Sequence, residues 1–257
     1  MSDLAGYELK VYRDADQLAE KAAVRIAAAA ALSIRHRGSF TLVLSGGSTP
    51  KRTYALLARG DGETSIDWSR VFLFFGDERH VSRDDPRSNY HMVRETLLKT
   101  APIAGEQVLS VPTEWPTAEK CAEEYSAALV RFFALPPGSM PIFDLVLLGL
   151  GDDGHTASLF PGAAALGVTD RIATWSPPGA LPPPVDRITL AYPAINSARQ
   201  VMFLVAGVGK AEALRDVLEG RRPISERPAA GILPENGRIS WLVDPSAARL
   251  LEARQPS

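Results

Sequence analysis

Phe40-Thr41-Leu42-Val43-Leu44-Ser45-Gly46-Gly47-Ser48-Thr49-Pro50, with a helix-period segment from Thr53 to Ala58 behind it, is the stretch that decides the fold. Its first five residues form a short apolar run of the kind that suits a strand buried on both faces, and such strands belong to parallel sheets covered by helices. The glycine pair turns the chain, Thr49 is placed to cap a helix, and Pro50 suits the first helical position.

The same sequence of events recurs along the chain. Strand candidates are Val71 to Phe75, Phe143 to Leu148, Ile188 to Leu190, Val201 to Ala206 and Trp241 to Val243. Helical periodicity marks Ala118 to Phe133, with apolar Cys121, Tyr125, Leu129 and Phe132, and also Ala211 to Leu218. Alternation of this kind predicts an α/β fold with a mainly parallel sheet. The apolar stretch Ala22 to Leu32 is interrupted by Arg25 and falls short of the roughly 20 residues that span a bilayer, so it reads as an Ala-rich helix. The prolines at 177, 178, 182, 183 and 184 read as a surface loop, because strand and helix patterns continue on both sides. One domain over residues 1–257 is expected, without internal repeats.

Bulk properties remove several classes of function. With 46% hydrophobic and 23% charged residues and a net charge of -2, the chain carries no broad basic footprint for nucleic acid or an anionic membrane. Any anion must be met by a local cluster, which points to a small ligand. Cys121 stands alone, so no internal disulfide or multi-cysteine metal site is available, and a reducing compartment fits. The histidines, His36, His80, His91 and His155, show no metal-ligand spacing, and neither a metal centre nor a cofactor is expected. The first residues lack the basic start and apolar stretch of a secretory signal, and a cytoplasmic location is expected. Nothing in the sequence identifies an interface, and a monomer is the default.

Ligands of open parallel sheets bind beyond the carboxyl ends of the strands, so the polar turns that follow the apolar runs are the places to look. Ser45 to Pro50 offers Gly46 and Gly47 for close backbone approach, and Ser48 and Thr49 as donors at a helix N-terminus, where anions are favoured. It is neither a Walker loop nor a Gly-x-Gly-x-x-Gly turn, which disfavours nucleotide. Gly76-Asp77-Glu78-Arg79 follows an aromatic strand. Arg79 presents a planar fork to phosphate oxygens, and Asp77 or Glu78 can hold it or accept sugar hydroxyls; Asn89 in Ser88-Asn89-Tyr90 adds hydrogen bonds. Each of these turns also reads as an ordinary solvated or capping turn. Gly149-Leu150-Gly151-Asp152-Asp153-Gly154-His155-Thr156 sets His155 among glycines and carboxylates, where imidazole serves as a general base and Asp153 can orient it. Gly207-Val208-Gly209-Lys210 places Lys210 near the positive end of a helix, which an anion nearby would explain. No Gly-x-Ser-x-Gly elbow is present, so attack by activated water is the simpler hydrolytic route.

Taken in order, these turns and the longer run Gly151 to Gly162 resemble the motifs of the 6-phosphogluconolactonase family. The resemblance continues through Ile188-Thr189-Leu190, Asn196 and Lys210 to the C-terminal strand. It implies a modified Rossmann-like fold with helices on both faces. It also implies hydrolysis of 6-phosphoglucono-1,5-lactone in the oxidative pentose phosphate pathway, with His155 activating water and Arg79 and Lys210 at the phosphate end. The oxyanion donor stays open between backbone N–H groups and a basic side chain. The related deaminases resemble Asp-Glu-Tyr where this chain has Asp77-Glu78-Arg79, and carry glutamate where this chain has Phe160, which exchanges no proton. A non-catalytic sugar-phosphate sensor on the same fold would have no use for His155.

Overall fold

The computed structural model describes residues 7–178 and 184–252. In chain order its elements are β1 (Tyr7–Val11), α1 (Ala15–Arg37), β2 (Phe40–Leu44), α2 (Ser48–Arg59), β3 (Val71–Phe75), β4 (Asp77–Arg79), α3 (Asn89–Val93), β5 (Val108–Leu109), α4 (Ala118–Phe133), β6 (Leu145–Leu148), β7 (Ala173–Ser176), β8 (Arg187–Leu190), α5 (Tyr192–Asn196), β9 (Gln200–Val205), α6 (Ala211–Leu218), β10 (Arg238–Val243) and α7 (Pro245–Ala248), with short 3-10 and π turns between them.

Seven strands form one sheet in the order β1-β10-β9-β6-β2-β3-β5. Every pairing in it is parallel. The interior strands β2 and β6 are buried at every position, as their unbroken apolar sequences require. From β2 the chain builds outward through β3 and β5. From β6 it builds the other way through β9 and β10. The carboxyl ends of the adjacent strands β2 and β6 therefore open a crevice at the point where the winding reverses.

Helices cover this sheet for reasons visible in their sequences. The Ala-rich segment is the core of α1, capped by the Asp14 side chain on the Gln17 N–H and ended by Gly38 in the left-handed region. Its buried stripe runs through Leu18, Ala22, Ile26 and Ala30, and small residues there let the helix pack closely. In α2 the buried positions Pro50, Thr53, Tyr54 and Leu57 keep helical spacing. No helix among the described residues is long and apolar enough to cross a membrane.

Two buried tyrosines finish the strand ends. The Tyr54 hydroxyl accepts from the Ser45 N–H at 2.9 Å and donates to the Ser45 carbonyl at 3.0 Å. Tyr125 does the same on Phe75, at 3.0 and 2.9 Å. Each hydroxyl replaces the ladder partner that β2 or β3 lacks once the chain turns away, and burial pushes both phenols well above their ordinary value.

Three expectations need correction. Asp77-Glu78-Arg79 is not a free turn but β4, and Ile188 to Leu190 belongs to β8; with β7 these strands make a separate antiparallel sheet in the order β4-β8-β7. The cause lies in a backbone relay: the Gly76 N–H still donates to Leu44, while its carbonyl takes the Leu190 N–H at 2.8 Å and so starts the second sheet. Thr49 does not cap α2. The helix begins two residues earlier, at Ser48 behind Gly47 at φ +107°, with no side chain over its first amides. The edge strands β1 and β5 and the short β7 escaped the apolar-run criterion because their residues are partly exposed or few. Of the proline-rich stretch, Pro182 and Pro183 lie outside the described residues, as do residues 1–6 at the N-terminus.

Candidate active site

The crevice between β2 and β6 holds a cavity of about 280 Å³. Its floor is the first turn. Gly46 must lack a side chain because a Cβ there would collide with the Asn89 amide. Since no side chain caps α2, the amides of Ser48 and Thr49 are left for a ligand, and the helix dipole favours an anion there.

The second wall comes from β4 and β8. Their antiparallel register sets Arg79 opposite Arg187, and both side chains line the cavity. Arg79 donates through Nη1 to the Arg87 carbonyl at 2.6 Å, while its buried Nε has no hydrogen-bond partner. Burial pulls the Arg187 guanidinium below its ordinary value and repulsion from Arg79 adds to this, with Asp77 and Glu78 acting the other way. Guanidinium stays protonated regardless, so the two strands hold adjacent positive charges in a partly dry wall.

The carboxylates of this segment divide their work. Glu78 is buried and accepts from the backbone N–H groups of Arg79, Asn89 and Tyr90 at 2.7 Å each and from the Ser88 hydroxyl at 3.0 Å, which fixes the loop that carries Asn89. Burial pushes its carboxyl up against the pull of those N–H groups. Asp77 accepts from the Ser158 hydroxyl at 2.6 Å and from the Asn89 amide at 3.2 Å. Among the described residues it is the one carboxylate in the cavity lining, which also contains Arg79, Arg187 and Lys210. Lys210, at the end of the turn before α6, forms an ion pair with the exposed Asp152.

His155 lines the same cavity. Its Nδ1 lies 2.6 Å from Asp153 Oδ1, and the same carboxylate oxygen accepts the His155 backbone N–H at 3.0 Å. Burial pushes the Asp153 carboxyl up, but the imidazole and the N–H groups outweigh it and hold the group below its ordinary value. An ionised carboxylate only accepts, so in the neutral ring this contact selects the tautomer with the proton on Nδ1 and the lone pair on Nε2. Gly151 makes room for this pair: a Cβ at that position would strike the His155 ring and come within 2.6 Å of Asp153 Oδ1. Phe160 leans on the other side of the imidazole, with ring centroids 4.9 Å apart.

Of the residues expected at the site, Gly46, Gly47, Ser48, Thr49, Asp77, Arg79, Asn89, His155 and Lys210 all line the one cavity. Asp153 stands behind the histidine rather than in the wall. Sequence reasoning passed over Arg187 and Ser158. The signal for Arg187 was present, as a charge at the head of the short strand that continues Ile188-Thr189-Leu190.

Residues 13–241 match the family described as glucosamine-6-phosphate isomerases/6-phosphogluconolactonase. A 6-phosphogluconolactonase from Synechocystis sp. is 41% identical over 234 residues, which cover 91% of this chain and 94% of that protein. One from Nostoc sp. is also 41% identical, over 215 residues covering 84% and 86%. Among solved structures, a 6-phosphogluconolactonase from Leishmania guyanensis aligns with a TM-score of 0.85 at 31% identity, covering 96% of this chain and 99% of the other.

Proposed function

Because the chain belongs to the glucosamine-6-phosphate isomerase/6-phosphogluconolactonase family and hydrolyses 6-phosphogluconolactone, we propose that the cavity between β2 and β6 is where that reaction takes place, with His155 as its general base. One observation carries the reading: a histidine whose Nδ1 lies 2.6 Å from an aspartate oxygen shares a small cavity with three cations and, among the described residues, a single carboxylate.

The substrate phosphate sits among Arg79, Arg187 and Lys210, with the first amides of α2 donating to its oxygens. Lys210 exchanges Asp152 for the phosphate as the ligand enters. Anchored at its sixth carbon, the lactone extends toward His155. Nε2 takes a proton from water as the oxygen attacks the lactone carbonyl, and Asp153 stabilises the imidazolium that forms. The tetrahedral oxyanion then collapses and the ring oxygen leaves as the C5 hydroxyl, taking the proton back from His155. One water is consumed and 6-phosphogluconate leaves, as in the oxidative branch of the pentose phosphate pathway. Phe160 beside the imidazole offers no proton for sugar ring opening, which speaks against the deaminase reaction. The groups in this scheme form a site for a small-molecule phosphosugar lactone that needs no residue from a second copy. A single cysteine, buried, supports a cytoplasmic setting.

The test follows freshly generated 6-phosphogluconolactone and unphosphorylated gluconolactone against their spontaneous hydrolysis, with ammonia release from glucosamine 6-phosphate measured in parallel. The expected result is rapid loss of the phosphorylated lactone, a kcat/KM at least about 100-fold lower without the phosphate, and no ammonia. Equal rates on both lactones would remove the phosphate anchor from the scheme, and ammonia release would replace the hydrolase with the deaminase.

A further inference from the structure

The loop that carries His155 is held from outside the cavity by a segment more than 70 residues away in sequence. Arg227 grips Asp216 of α6 through Nε at 3.1 Å and Nη2 at 2.8 Å. Asp216 is 1% exposed, and its second oxygen takes Arg215 at 2.8 Å, so the carboxylate is a fixed anchor. The remaining arm of the guanidinium, Nη1, donates to the backbone carbonyl of Asp153 at 3.2 Å. Two residues on, the Ala229 N–H donates to the carbonyl of Gly154 at 2.9 Å. Gly154 itself has φ +86°, and a Cβ there would collide with the Arg227 side chain. Both carbonyls between Asp153 and His155 are therefore taken by this segment, at the point where the chain makes a left-handed turn to bring the two side chains together.

We infer that Arg227, fixed by Asp216, is a positioning residue for the Asp153–His155 pair. It makes no contact with the cavity and has no part in binding phosphate. Its effect runs through the backbone. Asp153 must reach back to His155 across a single intervening glycine, the residue with the widest backbone freedom, and the clamp on the carbonyls of Asp153 and Gly154 removes that freedom. A shift of about 1 Å in a general base is enough to cost on the order of 100-fold in rate. Lysine cannot replace this function, because one ammonium on a flexible stem does not grip Asp216 with two nitrogens while presenting a third to a carbonyl.

The inference rests on His155 being the base, and the experiment separates the two. Arg227→Met, which keeps the aliphatic contact with Gly154, Arg227→Lys and His155→Asn are compared with wild type for kcat, KM, melting temperature and the imidazole Nδ1 proton resonance. For Arg227→Met we expect kcat to fall about 10- to 100-fold with KM within about threefold, and the Nδ1 proton signal to broaden or vanish as the hydrogen bond to Asp153 loosens. Arg227→Lys is expected to recover little of the rate. If Arg227→Met lowers only the melting temperature and keeps kcat, while His155→Asn is inactive, the clamp is merely structural and the inference fails alone. If His155→Asn retains its rate, the base assignment fails first. Should Arg227→Met not fold, Asp216→Asn decides: a lower kcat at unchanged KM supports the clamp, and an unchanged kcat overturns it.

Discussion

The two ends of β2 and β6 carry charge to opposite effect. At the amino ends, Asp144 just before β6 accepts from the Thr41 N–H at 2.9 Å, the Thr41 hydroxyl at 3.0 Å and Arg37 Nη2 at 2.7 Å, and its own N–H returns to Thr41 Oγ1 at 2.8 Å. Arg199 stands 3.5 Å away. Asp144 thus ties both of its oxygens and its own N–H to neighbouring groups of the protein. At the carboxyl ends the cations gather on a cavity instead: Arg79, Arg187 and Lys210 line it, Lys210 pairs with the exposed Asp152 at its edge, and Asp77, the one carboxylate among the described lining residues, is held by Ser158 and Asn89. A closed polar network makes a fold specific, whereas an open one of a single sign makes a binding site. The same pair of strands does both because parallel pairing brings all amino ends to one edge of the sheet and all carboxyl ends to the other.

Substitutions at each end should separate stability from activity. The largest effect is expected from Asp144→Ala, which leaves the Thr41 N–H and the Arg37 guanidinium without their acceptor. A loss of about 3 kcal/mol in urea unfolding is the expected result, with kcat/KM per folded molecule unchanged. A loss below about 1 kcal/mol would mean that the lower network is ornamental and the comparison breaks.

Next in size is Arg187→Met. Removing one charge-assisted contact to the phosphate, worth about 1.5–3 kcal/mol, should raise KM for the phosphorylated lactone about 10- to 100-fold. Stability should change by less than about 1 kcal/mol, because relief of the burial of Arg187 and its repulsion from Arg79 offsets the lost attraction to Asp77 and Glu78. A destabilised protein with unchanged KM would make Arg187 a structural ion like those at the lower edge.

A smaller and pH-dependent effect belongs to Asp153. Its folded-state value lies below the ordinary 3.8, so its carboxylate contributes stability that is present above that pH and is lost as pH falls through the lower folded value. The melting temperature of wild type should therefore exceed that of Asp153→Asn at neutral pH, and the gap should close in acid below 3.8. A gap that is constant with pH would show that the ionised form does nothing for the fold.

Much of the upper edge was legible because its chemistry is local. Gly46, Gly47 and Ser48 follow β2 directly, and Asp153 and His155 follow β6 with one residue between them, so strand-then-turn reasoning found them. Arg187 and Arg227 escaped because each is brought in by pairing that no local pattern encodes. Arg187 arrives by the register of β8 against β4, and Arg227 by a hydrogen bond to a loop 74 residues earlier. The misreading of Asp77-Glu78-Arg79 as a turn has the same origin: three charged residues look solvated until Ser88, Asn89 and Tyr90 are seen to converge on Glu78. Asp144 hid for the opposite reason, as one acid inside an apolar run whose partners, Arg37 and Thr41, lie more than a hundred residues away.

The account turns on His155, and the most direct measurement is the rate of 6-phosphogluconolactone hydrolysis by His155→Asn beside the affinity of the same variant for 6-phosphogluconate. With the base gone and the cations intact, kcat should fall about 10²- to 10⁴-fold while product affinity stays within about twofold. A variant that hydrolyses the lactone at the wild-type rate would contradict the assignment and send the search for the base elsewhere in the cavity.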